Sequence, residues 1–350
     1  MAREHAVTIG KADLSTWIAS LMGGAELIAP TRGPGGDVLL STISSPEQIL
    51  WEFSNSLQPP KQFLLPQTEP LVRIRTRDGH LHPEAAGDDR RQILFNVRSC
   101  DVKGLAYLRR MHAQEPPDTA YLRRADNTTV VCLACPEPCR LGFCICCDAG
   151  PFARDGFDLQ LTPMGDRMVV EVGSHKGEAL LDGNESLFRP TTPEETAQRS
   201  ELETMARHRF GPVTAHFGSA MRRVSTGRVA SELWDALGDW CLECGGCNFI
   251  CPTCYCFSVK DRRTDGSWLR CRTWDSCQYP AFTLEASGHN PREQKRDRVR
   301  RRFFHKVSAQ YYQRDGDVGC VGCGRCITVC MGTTDMPAVV EAIRKGEWHG

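Results

Sequence analysis

Short apolar runs alternate with helical patterns along the first two-thirds of the chain. Four of these runs have the length and residue types of β-strands, at residues 38–40, 93–97, 130–133 and 168–172. Strands that alternate with helical segments are typical of a sheet covered by helices. The pattern therefore predicts a mixed α/β domain in the N-terminal part of the chain.

Helix-start signals lie between the predicted strands. Ser45 and Thr192 each precede a proline, which is favoured at the first position of a helix, and Asp101 is a third candidate cap. The helix after Thr192 is mostly polar and runs towards Phe210, so we expect it to connect two parts of the protein or to face another subunit. A further helix is predicted over residues 231–240.

Two cysteine runs lie near the C-terminus. Each has cysteines at positions 1, 4, 7 and 11, beginning at Cys241 and at Cys320, and a proline follows the first run. Three thiolates at this spacing can each bind a different iron of one [4Fe-4S] cluster, and in two-cluster ferredoxins the fourth binds the other cluster. The spacing therefore predicts two clusters in one folded unit. Their expected ligands are Cys241, Cys244, Cys247 and Cys330 for one cluster, and Cys320, Cys323, Cys326 and Cys251 for the other.

Zinc is the alternative metal for a cysteine-rich sequence. A tetrahedral zinc site needs only four ligands, which proteins normally supply as two pairs separated by a longer loop. The doubled run fits two iron–sulfur clusters better than it fits such pairs. A zinc-stabilised structural module stays open as an alternative from another class of protein.

These elements predict the fold class α+β with two domains. Residues 1–230 would form the mixed α/β domain, which carries a cysteine-rich loop at residues 132–147. Residues 231–350 have few strand signals and predict a helical, ferredoxin-like domain that holds the two clusters. The segment between its two cysteine runs, residues 252–319, is longer than the linker of a compact ferredoxin, so we expect an insertion there.

The loop at residues 132–147 contains six more cysteines. Cys132 lies within a predicted strand, where a thiol packs as a small hydrophobic group. The rest of the loop contains Pro136, Pro138 and Gly142, and it can fold around an ion or a cluster. Packing and metal binding both stay open for this loop. The ligands of a third iron–sulfur cluster would be Cys135, Cys139 and Cys144, with Cys100 as the fourth.

Four further cysteines lie in the segment after the first run, namely Cys254, Cys256, Cys271 and Cys277. One interpretation is a buried shell that shields the clusters and tunes their reduction potentials through hydrogen bonds. We prefer this interpretation for Cys271. A role as cluster ligands is the alternative for the other three.

Charge gives the chain no overall attraction to a polyanion, because it has 43 basic and 43 acidic residues. A local basic segment lies at residues 292–306, and it would dock an acidic partner subunit or lie over anionic clusters. A cluster-bearing nucleic-acid-binding protein is a second alternative. It is disfavoured because no stacking aromatic residues alternate with these charges.

Cysteine use predicts a reducing compartment. The nineteen cysteines fall in metal-ligand groups, whereas disulfide scaffolds are short secreted chains. The N-terminus has no basic flank followed by an apolar core, and no run of about 18 apolar residues occurs in the sequence. We therefore expect a cytoplasmic protein with no membrane segment.

An ordered series of motifs extends from about residue 60 to the end of the chain. The series includes FNVRSCDV at residues 95–102, CPEPC at 135–139, CPTCYCF at 251–257, WDSCQ at 274–278 and CVGCGRC at 320–326. With these motifs the chain resembles the iron–sulfur β subunit of cytoplasmic sulfhydrogenases and the A subunit of anaerobic sulfite reductase. The resemblance implies a relay between a flavin subunit that takes electrons from NAD(P)H and a catalytic subunit that holds nickel–iron or sirohaem.

The sequence departs from the pattern of that family at three positions. Ser99 stands where a proline is usual, Gly142 where a cysteine is usual, and Met331 where a proline follows the last cluster cysteine. The change at Gly142 leaves three loop thiols for the third cluster. The change at Met331 alters only the exit of the chain, because proline supplies no ligand.

Chemistry on a substrate is expected in partner chains. No G-x-G-x-x-G motif follows a predicted strand, so we expect this chain to bind no nicotinamide itself. It also lacks cysteine pairs of the nickel-ligand type near its termini. We therefore expect a relay subunit without catalytic residues, in a hetero-oligomeric oxidoreductase of the hydrogenase or sulfite-reductase type.

Overall fold

The computed structural model describes residues 6–87, 90–264 and 266–348. Within these ranges the chain forms twelve strands and thirteen α-helices. The strands are β1 (Ala6–Gly10), β2 (Glu26–Arg32), β3 (Val38–Thr42), β4 (Thr68–Arg77), β5 (His80–Ala85), β6 (Gln92–Arg98), β7 (Thr128–Leu133), β8 (Leu159–Met164), β9 (Arg167–Val172), β10 (Phe188–Pro190), β11 (Phe257–Thr264) and β12 (Ser267–Trp274). The helices are α1 (Leu14–Met22), α2 (Lys61–Leu64), α3 (Ser99–His112), α4 (Thr119–Asp126), α5 (His175–Glu178), α6 (Pro193–His208), α7 (Phe217–Ser225), α8 (Ser231–Trp240), α9 (Gly246–Phe249), α10 (Lys295–Val307), α11 (Ala309–Asp315), α12 (Arg325–Val329) and α13 (Met336–Lys345).

Eight strands form one mixed sheet in the order β10-β1-β9-β8-β7-β6-β2-β3. The central strands β2, β6, β7 and β8 pair in parallel, and the outer pairs are antiparallel. Parallel neighbours need a crossover connection, which α3 and α4 supply between β6 and β7. This mixture of a helix-covered sheet with further helices confirms the predicted α+β class.

Apolar side chains cover both faces of the large sheet. On one face Phe95 of β6 meets Trp17 of α1, with ring centroids 6.0 Å apart. On the other face Leu94 packs in a core with Leu108 of α3. Successive residues of β6 therefore enter different cores, as the alternation of a strand requires, and the middle of this doubly buried strand is apolar except for Asn96.

A second, four-stranded sheet joins the two halves of the chain. Its order is β11-β12-β4-β5, and all its pairs are antiparallel. The hairpin β11–β12 occupies part of the expected insertion, in a region with few strand signals in the sequence. Its β-branched and aromatic residues, such as Val259 and Trp268, favour a strand over a helix. The sheet crosses the boundary placed at residue 230, and that boundary stays a prediction.

Helices α7, α8, α10 and α13 share one hydrophobic core. Phe143 and Cys147 of the cysteine-rich loop belong to the same core, together with Val299 and Phe303 of α10. The loop is therefore packed directly against the C-terminal helices. In the described part of the chain, no helix combines the length and the apolar character needed to cross a bilayer.

Most sequence-predicted elements are present. All four apolar runs lie in strands, the polar helix begins after Thr192, and α8 spans the predicted residues 231–240. The helix expected after Ser45 is wrong, because only the 3₁₀ turn Pro46–Gln48 forms. The chain then runs beside β2, where the N–H of Leu50 donates to the carbonyl oxygen of Pro30 at 2.8 Å.

Candidate metal centre

All nineteen cysteines have free thiols, and fifteen of them fall into four groups. The first and second groups contain the cysteines of the two C-terminal runs, and the third and fourth lie beside them. The first thiol group is Cys241, Cys244, Cys247 and Cys330; the second is Cys251, Cys320, Cys323 and Cys326; the third is Cys100, Cys135, Cys139 and Cys144; the fourth is Cys254, Cys256 and Cys277.

The first thiol group lines one small cavity. Three of its members belong to the first cysteine run, and Cys330 comes from the end of the second run. Cys330 lies close enough to Cys241 and Cys247 to raise the pKa of both thiols, in addition to the larger effect of burial. The structure therefore brings together the four cysteines expected from the spacing, while their role as ligands stays a prediction.

The second thiol group shows the reciprocal exchange. Cys251, the last cysteine of the first run, lies near Cys320 and Cys323 of the second run. Its Sγ atom is 3.4 Å from the Nζ atom of Lys306, which also donates to the carbonyl oxygen of Gly319 at 2.6 Å. Each run thus supplies one thiol to the other run's group.

The two cysteine runs share one backbone conformation. In both, the residues immediately before and after the second cysteine are left-handed: Glu243 (φ 54°) and Gly245 (φ 71°) in the first run, and Gly322 (φ 62°) and Gly324 (φ 79°) in the second. Backbone in which left-handed residues alternate with others turns N–H groups into a concavity that binds anions and iron–sulfur centres. The repeated conformation therefore favours the same kind of ligand in both runs.

Helix α10 directs a row of buried cations towards the thiols. Arg298, Arg302 and Lys306 recur at every fourth residue, so they share one helical face, and all three are buried. Arg298 pairs with Glu243. Among the described residues no carboxylate pairs with Arg302 or Lys306. Arg302 donates to the carbonyl oxygen of Thr334 at 2.9 Å, and its Nε atom has no partner in this part of the chain.

Thiolate charge stabilises both of these cations. Burial lowers the pKa of Arg302, but nearby Cys247 and Cys326 outweigh it and raise the pKa above the usual value. Burial likewise lowers the pKa of Lys306, and Cys251 is the largest influence that raises it. A buried cation without a carboxylate partner is unfavourable unless another anion is near. The interior around α10 therefore requires negative charge.

The third thiol group lies where the carboxyl ends of β6 and β7 meet. Cys100 is in the first turn of α3, directly after β6, and the other three cysteines follow β7. Cys144 lies near Cys135 and Cys139, and Cys100 lies near Cys144. Ligands of open α/β sheets bind at this edge. The group also adjoins the second thiol group, because Cys323 lies near Cys100 and Cys144.

The fourth thiol group lines a separate cavity, and residues of α10 form another part of its wall. The amide nitrogens of Asn248 and Gln278 lie 3.0 and 3.5 Å from the Sγ atom of Cys277. The largest influence on the pKa of Cys277 is a hydrogen bond from Cys256, which lowers it. The two amides lower this pKa further, and together these hydrogen bonds outweigh burial, which raises it. By contrast, Cys271 is buried in β12, where its thiol lies 3.9 Å from the carbonyl oxygen of Leu269.

A buried ion pair fastens the second cysteine run to the N-terminal part of the chain. The guanidinium of Arg325 donates to both carboxylate oxygens of Asp101, at 2.7 and 2.9 Å. Their side chains are only 4% and 3% exposed. Arg325 also donates to the carbonyl oxygen of Ser56 at 2.9 Å. The pair lies next to Cys323 of the second thiol group and Cys100 of the third, so it links the two groups.

The donor set fits iron–sulfur clusters. Among the described residues, no three His, Cys, Asp or Glu side chains converge closely enough to hold a single metal ion. A [4Fe-4S] cluster takes one thiolate at each of its irons, so its ligands need only surround it. Thiols, concave N–H groups and buried cations are suited to an anionic, sulfide-rich group.

The cysteine runs also match a known family. A family model described as a 4Fe-4S dicluster domain matches residues 240–334, which contain both runs. The protein is therefore an iron–sulfur protein with a dicluster domain. It is 31% identical over 312 residues to sulfhydrogenase 2 subunit beta from Pyrococcus furiosus, over 87% of this chain and 88% of that relative. The chain thus belongs to the family of sulfhydrogenase β subunits, which confirms the resemblance found in the motifs.

Sequence reasoning missed two buried charges of the site. Lys61 is buried and donates to the carbonyl oxygens of Asn248 and Cys254 at 3.2 and 2.9 Å. Asp101 was expected as a helix cap, and instead it pairs with Arg325. Neither role has a local sequence signal, because each partner is far away along the chain.

Replacing Gly324 by alanine should reduce cluster incorporation. An added Cβ atom would lie 2.5 Å from the carbonyl oxygen of Leu141, in a left-handed conformation that costs about 1–2 kcal/mol for other residues. We expect less iron per chain and a lower thermal midpoint. Gly288→Ala is the matched control, because Gly288 has a φ of 83° and no atom within 4 Å of an added Cβ. Equal losses in the two variants would contradict a role for the contact with Leu141.

Proposed function

We propose that this chain is the electron-relay subunit of a multisubunit hydrogenase. It would carry electrons between a flavin subunit that oxidises NAD(P)H and a catalytic subunit, in a cytoplasmic hetero-oligomer. The observation that most supports this proposal is the position of two cysteines. Cys251 of the first run lies beside cysteines of the second run, and Cys330 of the second run lies beside cysteines of the first, so each thiol group has four members. Membership of the family supports the proposal, because the relative from Pyrococcus furiosus is a sulfhydrogenase subunit.

The proposed ligands of the two clusters are the first and second thiol groups. A third cluster, held by Cys100, Cys135, Cys139 and Cys144, would extend the relay into the N-terminal domain. Its support is the position of the third group at the carboxyl edge of the sheet and beside Cys323. The path would then lead from the third group through the second to the first, where Cys244 is exposed.

The side chains of this chain position and shield the redox centres. Bound clusters would supply the one-electron chemistry, which amino acid side chains lack. Cysteine thiolates fix the centres, and Arg302 and Lys306 offset the negative charge that each added electron brings. Buried Val299 and Phe303 keep water away from this side of the site. Each electron that enters from the flavin leaves towards the catalytic subunit, so the chain undergoes no net oxidation.

Metal analysis of the anaerobically purified complex tests this proposal. We expect about eight iron atoms in this chain from the first and second thiol groups and about four more if the third group holds a cluster, with an equal amount of acid-labile sulfide. Electron paramagnetic resonance should show reduced clusters after addition of NAD(P)H when the flavin subunit is present and not when it is removed. Stoichiometric zinc, or an iron-free chain in a fully active complex, would refute the relay.

A further inference from the structure

The proposed relay leaves the fourth thiol group without a function. Cys254 and Cys256 follow the first cysteine run, and Cys277 follows β12, yet their side chains line one cavity. Arg302, His305 and Lys306 of α10 form another part of its wall, and no acidic residue lines it. Three thiols from two separate segments thus meet in a cavity bounded by two cations.

We propose that this cavity holds a further iron–sulfur cluster bound by the thiolates of Cys254, Cys256 and Cys277. The competing interpretation is that the three thiols only pack around the other clusters. A packing thiol acts as a weak donor to a nearby acceptor, as Cys271 does towards a backbone carbonyl. The sulfur of Cys277, by contrast, lies beside hydrogen-bond donors.

Amide donors are directed at the sulfur of Cys277. The side-chain nitrogens of Asn248 and Gln278 approach its Sγ atom to 3.0 and 3.5 Å, and both residues are buried, at 2% and 3% exposure. A neutral thiol is a weak acceptor, whereas the thiolate is the form that binds metals. Hydrogen bonds to cluster sulfurs also set reduction potentials. Such donors stabilise a thiolate that binds a metal, whereas they contribute little to a neutral thiol that only packs.

The buried cations also favour an anion in this cavity. Arg302 and Lys306 border this cavity without a carboxylate partner among the described residues, and Arg302 keeps an unpartnered Nε atom. Lys61 donates to the carbonyl oxygen of Cys254 at 2.9 Å and is buried as well. Two buried cations in the wall of the cavity and a third beside Cys254 need a counter-charge. An anionic cluster at this position lies close to all three.

Asn248 connects the cavity to the first thiol group. Its Oδ1 atom lies 3.5 Å from the Sγ atom of Cys247, and its Nδ2 atom lies 3.0 Å from that of Cys277. On the other side, Cys254 is within hydrogen-bonding reach of Cys251 in the second group. An electron received from one neighbouring group can therefore leave through the other, and no further reactant is needed. Only this last step rests on the proposed relay.

The test replaces Cys277 or Cys256 by serine in the full chain, purified anaerobically in its complex. Each variant should lose the iron and sulfide of one cluster, together with one paramagnetic resonance signal of the reduced protein. The signals that depend on Cys323 should remain, which also shows that the variant is folded. Cys271→Ser is the matched control, because its buried thiol lies in the neighbouring strand outside the cavity, and it should keep all its iron.

Full iron content and an unchanged spectrum in both Cys277→Ser and Cys256→Ser would overturn the proposal. Loss of two titratable thiols without loss of iron would overturn it too and would assign the pair as a redox-active dithiol. The outcome is separate from the relay itself. Full iron in Cys323→Ser would refute the second cluster of the relay, and iron loss confined to Cys277→Ser and Cys256→Ser would still support the site in this cavity.

Discussion

Cys323→Ser should remove one cluster, about four iron atoms, and should stop electron transfer through the chain. Cys323 lies near Cys251 of its own group and near Cys100 and Cys144 of the third group. Its cluster would therefore lie between the third and first thiol groups on the proposed path. A serine hydroxyl is a much weaker ligand for iron than a thiolate. Iron analysis and the rate of reduction by NAD(P)H in the complex measure both effects.

Cys132→Ser is the control for this prediction. Cys132 is buried in β7, where its thiol lies 3.8 Å from the Oε1 atom of Gln160, outside all four thiol groups. This variant should keep its iron and its reduction rate. Far-ultraviolet circular dichroism should show the same helix and strand content in both variants. An unaltered iron content and rate in Cys323→Ser would contradict the ligand assignment.

Asp101→Ala should destabilise the protein by about 3–5 kcal/mol. The change leaves the guanidinium of Arg325 buried, at 4% exposure, without its bidentate partner. Because Arg325 begins α12, which carries Cys326, the loss should also loosen the second thiol group. The denaturant concentration at the unfolding midpoint, measured under anaerobic conditions, reports the change when the slope of the transition is unaltered.

A double variant separates the charge from the packing. Asp101→Leu with Arg325→Met removes both charges and keeps apolar volume, and replacement of a buried ion pair in this way is often neutral or stabilising. The double variant should therefore recover most of the stability lost in Asp101→Ala. A double variant as unstable as the single one would show that the uncompensated charge of Arg325 is not the cause.

Local patterns predicted four of the strands, β3, β6, β7 and β9, and the helices α3, α6 and α8. The run at residues 93–97 is apolar except for Asn96 because β6 is buried on both faces, and Thr192 with Pro193 specifies a helix start without help from the rest of the chain. Ser45 has the same local signal. There the hydrogen bond between Leu50 and Pro30 holds the chain extended beside β2 and overrides it.

Only part of the candidate site could likewise be predicted from local sequence. Cysteine spacing is local, so it was sufficient to expect the exchange of Cys251 and Cys330 between the runs. The cavity of the fourth thiol group joins residues from before and after the hairpin β11–β12, and no spacing in the sequence specifies that approach. The basic inward face of α10 could have been predicted from the sequence, because Arg298, Arg302 and Lys306 recur at every fourth residue.

The four-stranded sheet limits how the dicluster part can be moved to another protein. Strand β12 pairs with β11 on one side and with β4, from the N-terminal half, on the other. A fragment that starts at residue 231 would leave that edge of β12 bare, and an unpaired edge strand promotes association between chains. A graft of the two-cluster unit should therefore carry the β4–β5 hairpin with it, for example through a circular permutation.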